Sequence, residues 1–191
     1  MTDTDISEKY QKYLVEITYQ GASWFSVTGT DAIDNDADKI LVDKQGRILL
    51  FANREDLRKH LLNTNDFFDS IRLQAWAVES NNIVHPYALL NLDVLLGRNI
   101  NVTRTPLLLS IYIIIGIVED YAVQVNNRDL IHILGSDTIR LHQDIFADYF
   151  LWSPAEEFGF NMLPDIFSDA TKTIFSILEP CILTNPSHQA P

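Results

Sequence analysis

Apolar and polar residues alternate through much of the first 80 residues, which is the pattern of β-strands with one buried face. From Tyr13 to Tyr19, for example, every second side chain is apolar. The strands predicted in this way span residues 13–19, 24–28, 39–43, 47–51 and 71–77.

Turn and cap signals lie between these predicted strands. Gly21 and the sequence DKQG at 43–46 indicate tight turns, because glycine adopts a positive φ without steric cost. Asn53 can cap a helix, whose apolar face is expected at Leu57 and Leu61. The first half is therefore predicted to be a small antiparallel sheet with one helix.

After residue 80 the apolar spacing lengthens to three or four residues, which predicts helices. Pro86 and Gly97 suit the start and the end of one helix. Residues 105–124 are expected to form a long buried helix, although their β-branched content leaves a strand open. Further helices are predicted after caps at Asn127 and Ser136, and over residues 168–178.

These elements define an α+β fold, divided into residues 1–80 and a mainly helical region 81–191, or continuous as one domain. Hydrophobic residues make up 47% of the 191-residue chain, enough for a substantial core. The apolar stretch 105–118 has 14 uncharged residues, too few for a spanning helix of about 18–20 residues. Because residues 1–5 are polar and acidic, unlike a signal peptide, a cytoplasmic protein is expected.

The charge of the chain restricts the class of partner. The net charge is −12, from 26 acidic and 14 basic residues. A nucleic-acid-binding protein needs lysine and arginine to displace phosphate counterions, and an anionic membrane surface also attracts cations. The composition therefore argues against both and fits either simple solubility or a basic protein partner.

An acidic loop at 31–38 carries the first candidate site. Asp34, Asp36 and Asp38 have the spacing of the first ligands of a calcium loop. The glycine and glutamate that define such a loop are replaced by Lys39 and Gln45, so no metal site is predicted. The aspartates are expected to be solvated, or to meet lysines of a partner.

Catalytic motifs are not found in the sequence. The five histidines are scattered, none at the spacing of four residues that pairs metal ligands on a helix, and Cys181 is the one cysteine. No nucleophile elbow and no glycine-rich phosphate loop is present. We therefore expect a binding protein that is not an enzyme and needs no cofactor.

Acidic and aromatic residues cluster between 137 and 169. Seven acids against Arg140 give this segment a charge of −6, half of the net charge. The pattern fits an ordinary amphipathic helix with its aromatic residues in the core, or an acidic binding surface with aromatic anchors. The candidate partner-binding residues are Asp137, Asp144, Asp148, Tyr149, Trp152, Glu156 and Glu157, with Asp34, Asp36 and Asp38 of the acidic loop.

Two stretches resemble small bacterial immunity proteins. Residues 40–62, ILVDKQGRILLFANREDLRKHLL, are similar to their succession of strand, tight turn, strand and capped helix. Residues 88–97, ALLNLDVLLG, are similar to helical segments in such proteins, including those of contact-dependent growth inhibition systems. The resemblance covers about a third of the chain and carries over no binding residue.

The resemblance implies an inhibitor that binds a cognate toxin domain, often a basic nuclease, one to one and covers its active site. Two other hypotheses stay open. The chain could be an enzyme or small-molecule-binding domain with an aromatic-lined pocket, or one subunit of a homo-oligomer.

Overall fold

A computed structural model describes residues 3–83, 85–96, 105–141, 143–144 and 164–186. The chain divides into two compact units. The first contains Met1–Leu90 together with Cys181–Pro191, and the second contains Asn91–Pro180. The C-terminal residues therefore belong to the same unit as the N-terminal half.

The first unit holds a four-stranded sheet in the order β3-β2-β1-β5. Strands β1, β2 and β3 pair antiparallel, and the β1–β2 hairpin turns at Gln20 and Gly21, both with positive φ. The predicted α+β class is confirmed, and the predicted antiparallel pairing holds for β1, β2 and β3. The elements are α1 (Asp3–Tyr10), β1 (Lys12–Tyr19), β2 (Ala22–Asp31), β3 (Ala37–Ile40), β4 (Ile48–Leu50), α2 (Arg54–Asn63), α3 (Ser70–Glu79) and β5 (Ala88–Asn91).

A second, two-stranded sheet brings the C-terminal segment back to the first unit. Strand β4 pairs in parallel with β6 (Ile182–Thr184). Beyond the strand, Asn185 donates its backbone N–H to the carbonyl of Leu50 at 2.8 Å, and its side chain accepts from the N–H of Ala52 at 3.1 Å. A segment distant in sequence thereby satisfies the edge of β4.

Helix α2 forms as the sequence predicts. The side chain of Asn53 accepts a 2.9 Å hydrogen bond from the N–H of Asp56, the geometry of an N-cap. Leu57 and Leu61 are buried four residues apart on its inner face. They join a core to which α1, α3 and the sheet also contribute: Ile6, Leu14, Val27, Leu41, Leu49, Phe51, Phe68, Leu73, Trp76, Ala77 and Ile83.

The strand predicted over residues 71–77 is wrong, because these residues lie in helix α3. The buried positions Leu73, Trp76 and Ala77 follow helical spacing, whereas Ile71 is 80% exposed. The apolar residues of this segment fit the two-residue repeat of a strand as well as the helical repeat. Packing against α2 decides between them, and residues 3–80, which the structure describes, contain the three α-helices α1, α2 and α3 where one was predicted.

The helix predicted between Pro86 and Gly97 is also wrong. Residues 88–91 form β5, the strand beside β1, and a 3₁₀ segment follows at Leu92–Leu96. Hydrogen bonding explains the difference, since Tyr87 donates its backbone N–H to the carbonyl of Leu14 in β1 at 2.8 Å. The open edge of β1 gains a partner that a helix could not provide.

The second unit is helical, as predicted. Its long helix α4 (Thr105–Gln124) has the predicted bounds, and α5 (Arg128–Leu134) begins after the predicted cap, Asn127. The side chain of Asn127 accepts from the N–H of Leu130 at 3.1 Å. Helix α6 comprises the helical residues 137–141 and 143–144, and α7 (Pro164–Leu178) contains the predicted last helix.

A buried ion pair joins α3 to the sheet of the first unit. The ammonium of Lys12 lies 2.8 Å from the carboxylate of Asp69, and both side chains are almost inaccessible to solvent. The same ammonium donates to the backbone carbonyls of Tyr10 and Thr30. Gly29 lies beside this lysine, and a Cβ added at Gly29 would collide with the backbone carbonyl oxygen of Gln11.

We expect Lys12→Met to lower the free energy of unfolding by about 3–5 kcal/mol, because the carboxylate of Asp69 stays buried without its cation. Lys44→Met is the matched control, since Lys44 and Asp66 form an exposed pair. It should change stability by less than about 1 kcal/mol. Urea unfolding of both variants measures the difference, and equal losses would contradict a special role for Lys12.

We expect His60 to make the stability of the first unit depend on pH. Its ring lies 5.1 Å from that of Phe51 and 6.3 Å from that of Phe67, and burial lowers the pKa of His60 below its ordinary value of 6.5. Below that value the unfolded chain binds a proton more readily than the folded one. The free energy of unfolding is therefore highest above pH 6.5, where His60 is neutral in both states. It decreases as the pH falls from 6.5 through the lowered pKa of the folded state.

We expect the free energy of unfolding to decrease between about pH 7.5 and 5.5, a window above the titration of most carboxylates. His60→Leu should reduce this decrease, whereas the exposed His132→Gln should leave it unchanged. Urea unfolding at the two pH values provides the measurement. An identical decrease in wild type and His60→Leu would assign the pH dependence to other groups.

Candidate functional site

Helix α4 has two faces of different character. Its inner face is apolar and fully buried, formed by Ile111, Ile114, Ile115, Val118, Tyr121 and Ala122. Its outer face exposes Tyr112, Ile113, Glu119, Asp120 and Val123. The segment was predicted to be a buried helix, but over residues 110–124, where side chains are described, one face is exposed.

A groove of about 530 Å³ lies along this outer face. Gly116 adds no side chain to the groove, and a Cβ built there would meet no atom within 4 Å. The lining residues are Tyr112, Ile113, Gly116, Ile117, Glu119 and Asp120 of α4, with Gln143 and Asp144 of α6.

The groove is acidic. Three of its lining residues, Glu119, Asp120 and Asp144, carry carboxylates, and no basic residue is among the lining residues that the structure describes. The amide of Gln143 donates to Glu119 across the groove at 3.5 Å. Near a protein surface a cation 4 Å from one carboxylate gains about 4 kcal/mol of Coulomb energy before desolvation. The groove therefore favours an occupant with lysine or arginine.

Exposed apolar side chains lie beside these carboxylates. Tyr112 is 36% exposed and Ile113 is 41% exposed, and both belong to the outer face of α4. Leu141 of α6 is 49% exposed, so this apolar side chain also lies at the surface. Apolar groups surrounded by charges are typical of surfaces that bind proteins.

The structure places two predicted site residues on α6. Asp144 lines the groove, and Asp137 is exposed seven residues earlier on the same helix. Asp148, Tyr149, Trp152, Glu156 and Glu157 lie outside the described residues.

The acidic loop of the first unit is held together by ion pairs and hydrogen bonds among its own residues. The ammonium of Lys39 lies 2.8 Å from the carboxylate of Asp31 and 2.7 Å from that of Asp34. Backbone N–H groups of Asp34 and Asp36 both donate to the carbonyl of Asp31 at 3.0 Å. Asp36 and Asp38 are exposed, but Asp34 already has a cation of its own chain.

The pKa values of Asp31 and Lys39 both reflect the ion pair between them. Burial by itself would raise the pKa of Asp31, but hydrogen bonds from Lys39 and from the N–H of Ile33 outweigh it and lower that pKa. Burial likewise opposes the charge of Lys39, and the two carboxylates nevertheless raise the pKa of Lys39. The loop is a structural turn, and at its base Lys39 offsets part of the negative charge of Asp31 and Asp34.

The residues that α4 contributes to the groove were not among the site residues predicted from the sequence. Tyr112, Gly116, Glu119 and Val123 are spaced by four, three and four residues, which is one helical face. This spacing was a signal that the segment has an exposed side. The apolar residues around it concealed the signal.

The described residues contain neither a cluster of metal ligands nor a membrane-spanning helix. Within the parts of the chain that the structure describes, no group of three or more His, Cys, Asp or Glu side chains could hold a metal ion. In those same parts, no helix has the length and apolar character needed to cross a bilayer.

Comparison with solved structures identifies a protein of similar fold. The chain is similar to the C-terminal domain of SatS, whose crystal structure was determined in complex with bromine, with a TM-score of 0.65 and 12% sequence identity. The similarity covers 97% of this chain and 100% of that domain. No family model and no curated protein matches the sequence. At this identity the likeness shows the fold alone.

We expect Gly116→Ala to raise the free energy of unfolding by about 0.5–1 kcal/mol, since glycine weakens a helix interior and the added methyl group meets open space. Gly29→Ala is the opposite case and should destabilise, because its Cβ collides with the backbone. Thermal unfolding of both variants checks the pair. A destabilising Gly116→Ala would contradict an open groove.

Proposed function

We propose that this protein is an immunity protein that binds a basic toxin domain in the cytoplasm and neutralises it. The observation that carries the proposal is the groove between α4 and α6, which combines three carboxylates with exposed Tyr112 and Ile113. A nuclease active site is basic because it binds phosphates. An acidic groove can take the place of the nucleic acid there.

The distribution of charge supports an electrostatic role for the second unit. Residues 91–180 contain 12 acidic and five basic residues, a net charge of −7 within the total of −12. Opposite fields accelerate the encounter of two proteins, and salt screens them over about 8 Å at physiological ionic strength. Fast association suits an inhibitor that must reach a toxin before the toxin reaches its substrate.

The exposed apolar residues of the groove would supply binding energy that surface charges do not supply. Surface ion pairs contribute little affinity because solvent screens them. Burial of aromatic and aliphatic anchors at the centre of an interface supplies most of the binding energy. In the proposed complex Tyr112 and Ile113 pack against the toxin, while Glu119, Asp120 and Asp144 meet its cations. Inhibition is steric, with one-to-one binding and neither turnover nor a cofactor.

Capture followed by a growth assay tests this function. Tagged protein is incubated at low salt with lysate of its native cells, and the retained domain is identified and expressed alone. We expect that domain to arrest growth, and co-expression of this chain to restore it. A captured partner that is harmless on its own, or arrest that co-expression fails to relieve, would refute the immunity function.

Charge reversal locates the interface. With the captured domain, Glu119→Lys combined with Asp144→Lys should weaken binding at least about tenfold, through faster dissociation as well as slower association. Asp36→Lys combined with Asp38→Lys changes the net charge equally in the acidic loop. That control should change mainly the association rate, by less than the groove variant. Surface plasmon resonance at two salt concentrations separates the effects, and equal losses would show that net charge alone acts.

A further inference from the structure

Two tyrosine rings pack together on the outer face of the four-stranded sheet. Tyr13 in β1 and Tyr87, the residue before β5, have ring centroids 4.5 Å apart and ring planes tilted by 43°. Because Leu14, the next residue of β1, belongs to the core, Tyr13 lies on the opposite face of the sheet. Tyr87 is 67% exposed, while its backbone N–H is bound to the carbonyl of Leu14. One aromatic ring is therefore presented to solvent from a fixed position.

Leu89 extends this surface along the edge of the sheet. It lies in β5, an edge strand of the order β3-β2-β1-β5, and is 76% exposed. Its neighbour Leu90 is buried, so the strand buries one side and exposes the other. An exposed ring and an exposed leucine at a sheet edge, surrounded by polar groups, are typical of a surface that binds a protein.

Two carboxylates lie beside the tyrosines. The hydroxyl of Tyr13 donates a hydrogen bond to the side chain of Glu8. Thr28 pairs with Tyr13 on one side and with Ile40 on the other. Asp38 precedes Ile40 by two residues in β3, which puts Asp38 on the same face as Tyr13. Burial raises the pKa of Tyr13, and the charges of Glu8 and Asp38 raise it further, so the hydroxyl stays protonated as a donor.

The lysines that follow these two acids in the sequence are bound elsewhere. The ammonium of Lys9 lies 2.7 Å from the carboxylate of Glu79, and Lys39 is held in the acidic loop by the two ion pairs described above. Among the residues that the structure describes, neither Glu8 nor Asp38 has an ion-pair partner. The surface therefore keeps a charge of about −2 beside its aromatic rings.

The combination of an exposed ring, two carboxylates and an exposed aliphatic side chain fits arginine. A planar guanidinium stacks on an aromatic face and donates to carboxylates, and its methylene stem covers apolar surface. The compact ammonium of lysine is more strongly hydrated and lacks the planar shape that stacks.

We propose that this surface, the tyrosine patch formed by Tyr13, Tyr87, Leu89, Glu8 and Asp38, binds an arginine-bearing segment of a partner protein. The guanidinium lies over the exposed ring of Tyr87 and is attracted by the two carboxylates, while an apolar side chain of the segment contacts Leu89. The proposal does not rest on the immunity function, because no residue of the patch lines the groove of the second unit. Each can fail without the other.

An acetylated and amidated tetrapeptide of alternating arginine and leucine is the probe for the first test. In NMR titrations of the full chain, it should shift the ring signals of Tyr87 and the methyl signals of Leu89 in a saturable manner. The same peptide with citrulline in place of arginine has nearly the same shape but no charge, and should bind at least about tenfold more weakly. No saturable shift at Tyr87 up to about 10 mM peptide, equal binding of the two peptides, or shifts confined to the groove of the second unit would overturn the proposal.

Variants of the patch form the second test. Tyr87→Leu keeps an apolar side chain but removes the aromatic face, and should weaken the arginine peptide about two- to fivefold. Glu8→Gln should weaken it at least about threefold by removing one carboxylate. Asp129→Asn is the matched control, since it removes the same charge from an exposed position on α5, and should change binding by less than about 1.5-fold. Unchanged signals of the core residues establish that each variant is folded. Equal effects of Glu8→Gln and Asp129→Asn, or full binding to Tyr87→Leu, would reduce the contact to nonspecific charge and refute the patch.

Discussion

The buried pair of Lys12 and Asp69 is the contact on which the first unit depends. A lysine without solvent is tolerated only when its ammonium finds a counterion and further acceptors, and here one carboxylate and two backbone carbonyls serve it. Asp69 adopts a left-handed backbone at the start of α3, and its side chain turns to the lysine instead of capping its own helix. The pair thereby fixes where α3 begins relative to β1.

The core of the first unit follows from that placement. With α3 held at its first turn, Leu73, Trp76 and Ala77 reach the interior together and join the core that includes Leu14 of β1. Gly29 belongs to the same arrangement, since any side chain there would collide with the backbone beside Lys12. We therefore expect a change at either member of the pair to disturb this core.

The groove of the second unit concentrates negative charge at one place. It has three carboxylates and, among the lining residues that the structure describes, no lysine or arginine. The net charge of the chain does not predict this groove, because the groove is set by the few residues that converge on it.

The sequence by itself determined the elements whose signals are local. Pattern and propensity were sufficient to predict features that depend on neighbouring residues only. These features are the turns at Gly21 and Gly46, the caps at Asn53 and Asn127, and the bounds of α4. The tertiary structure decided the rest. Residues 71–77 and 88–91 have ambiguous periods, and packing against α2 or the open edge of β1 selected helix and strand. The groove needed tertiary structure for the same reason, because Asp144 was visible as an acid but Glu119 and Asp120 join it only when α4 and α6 pack together.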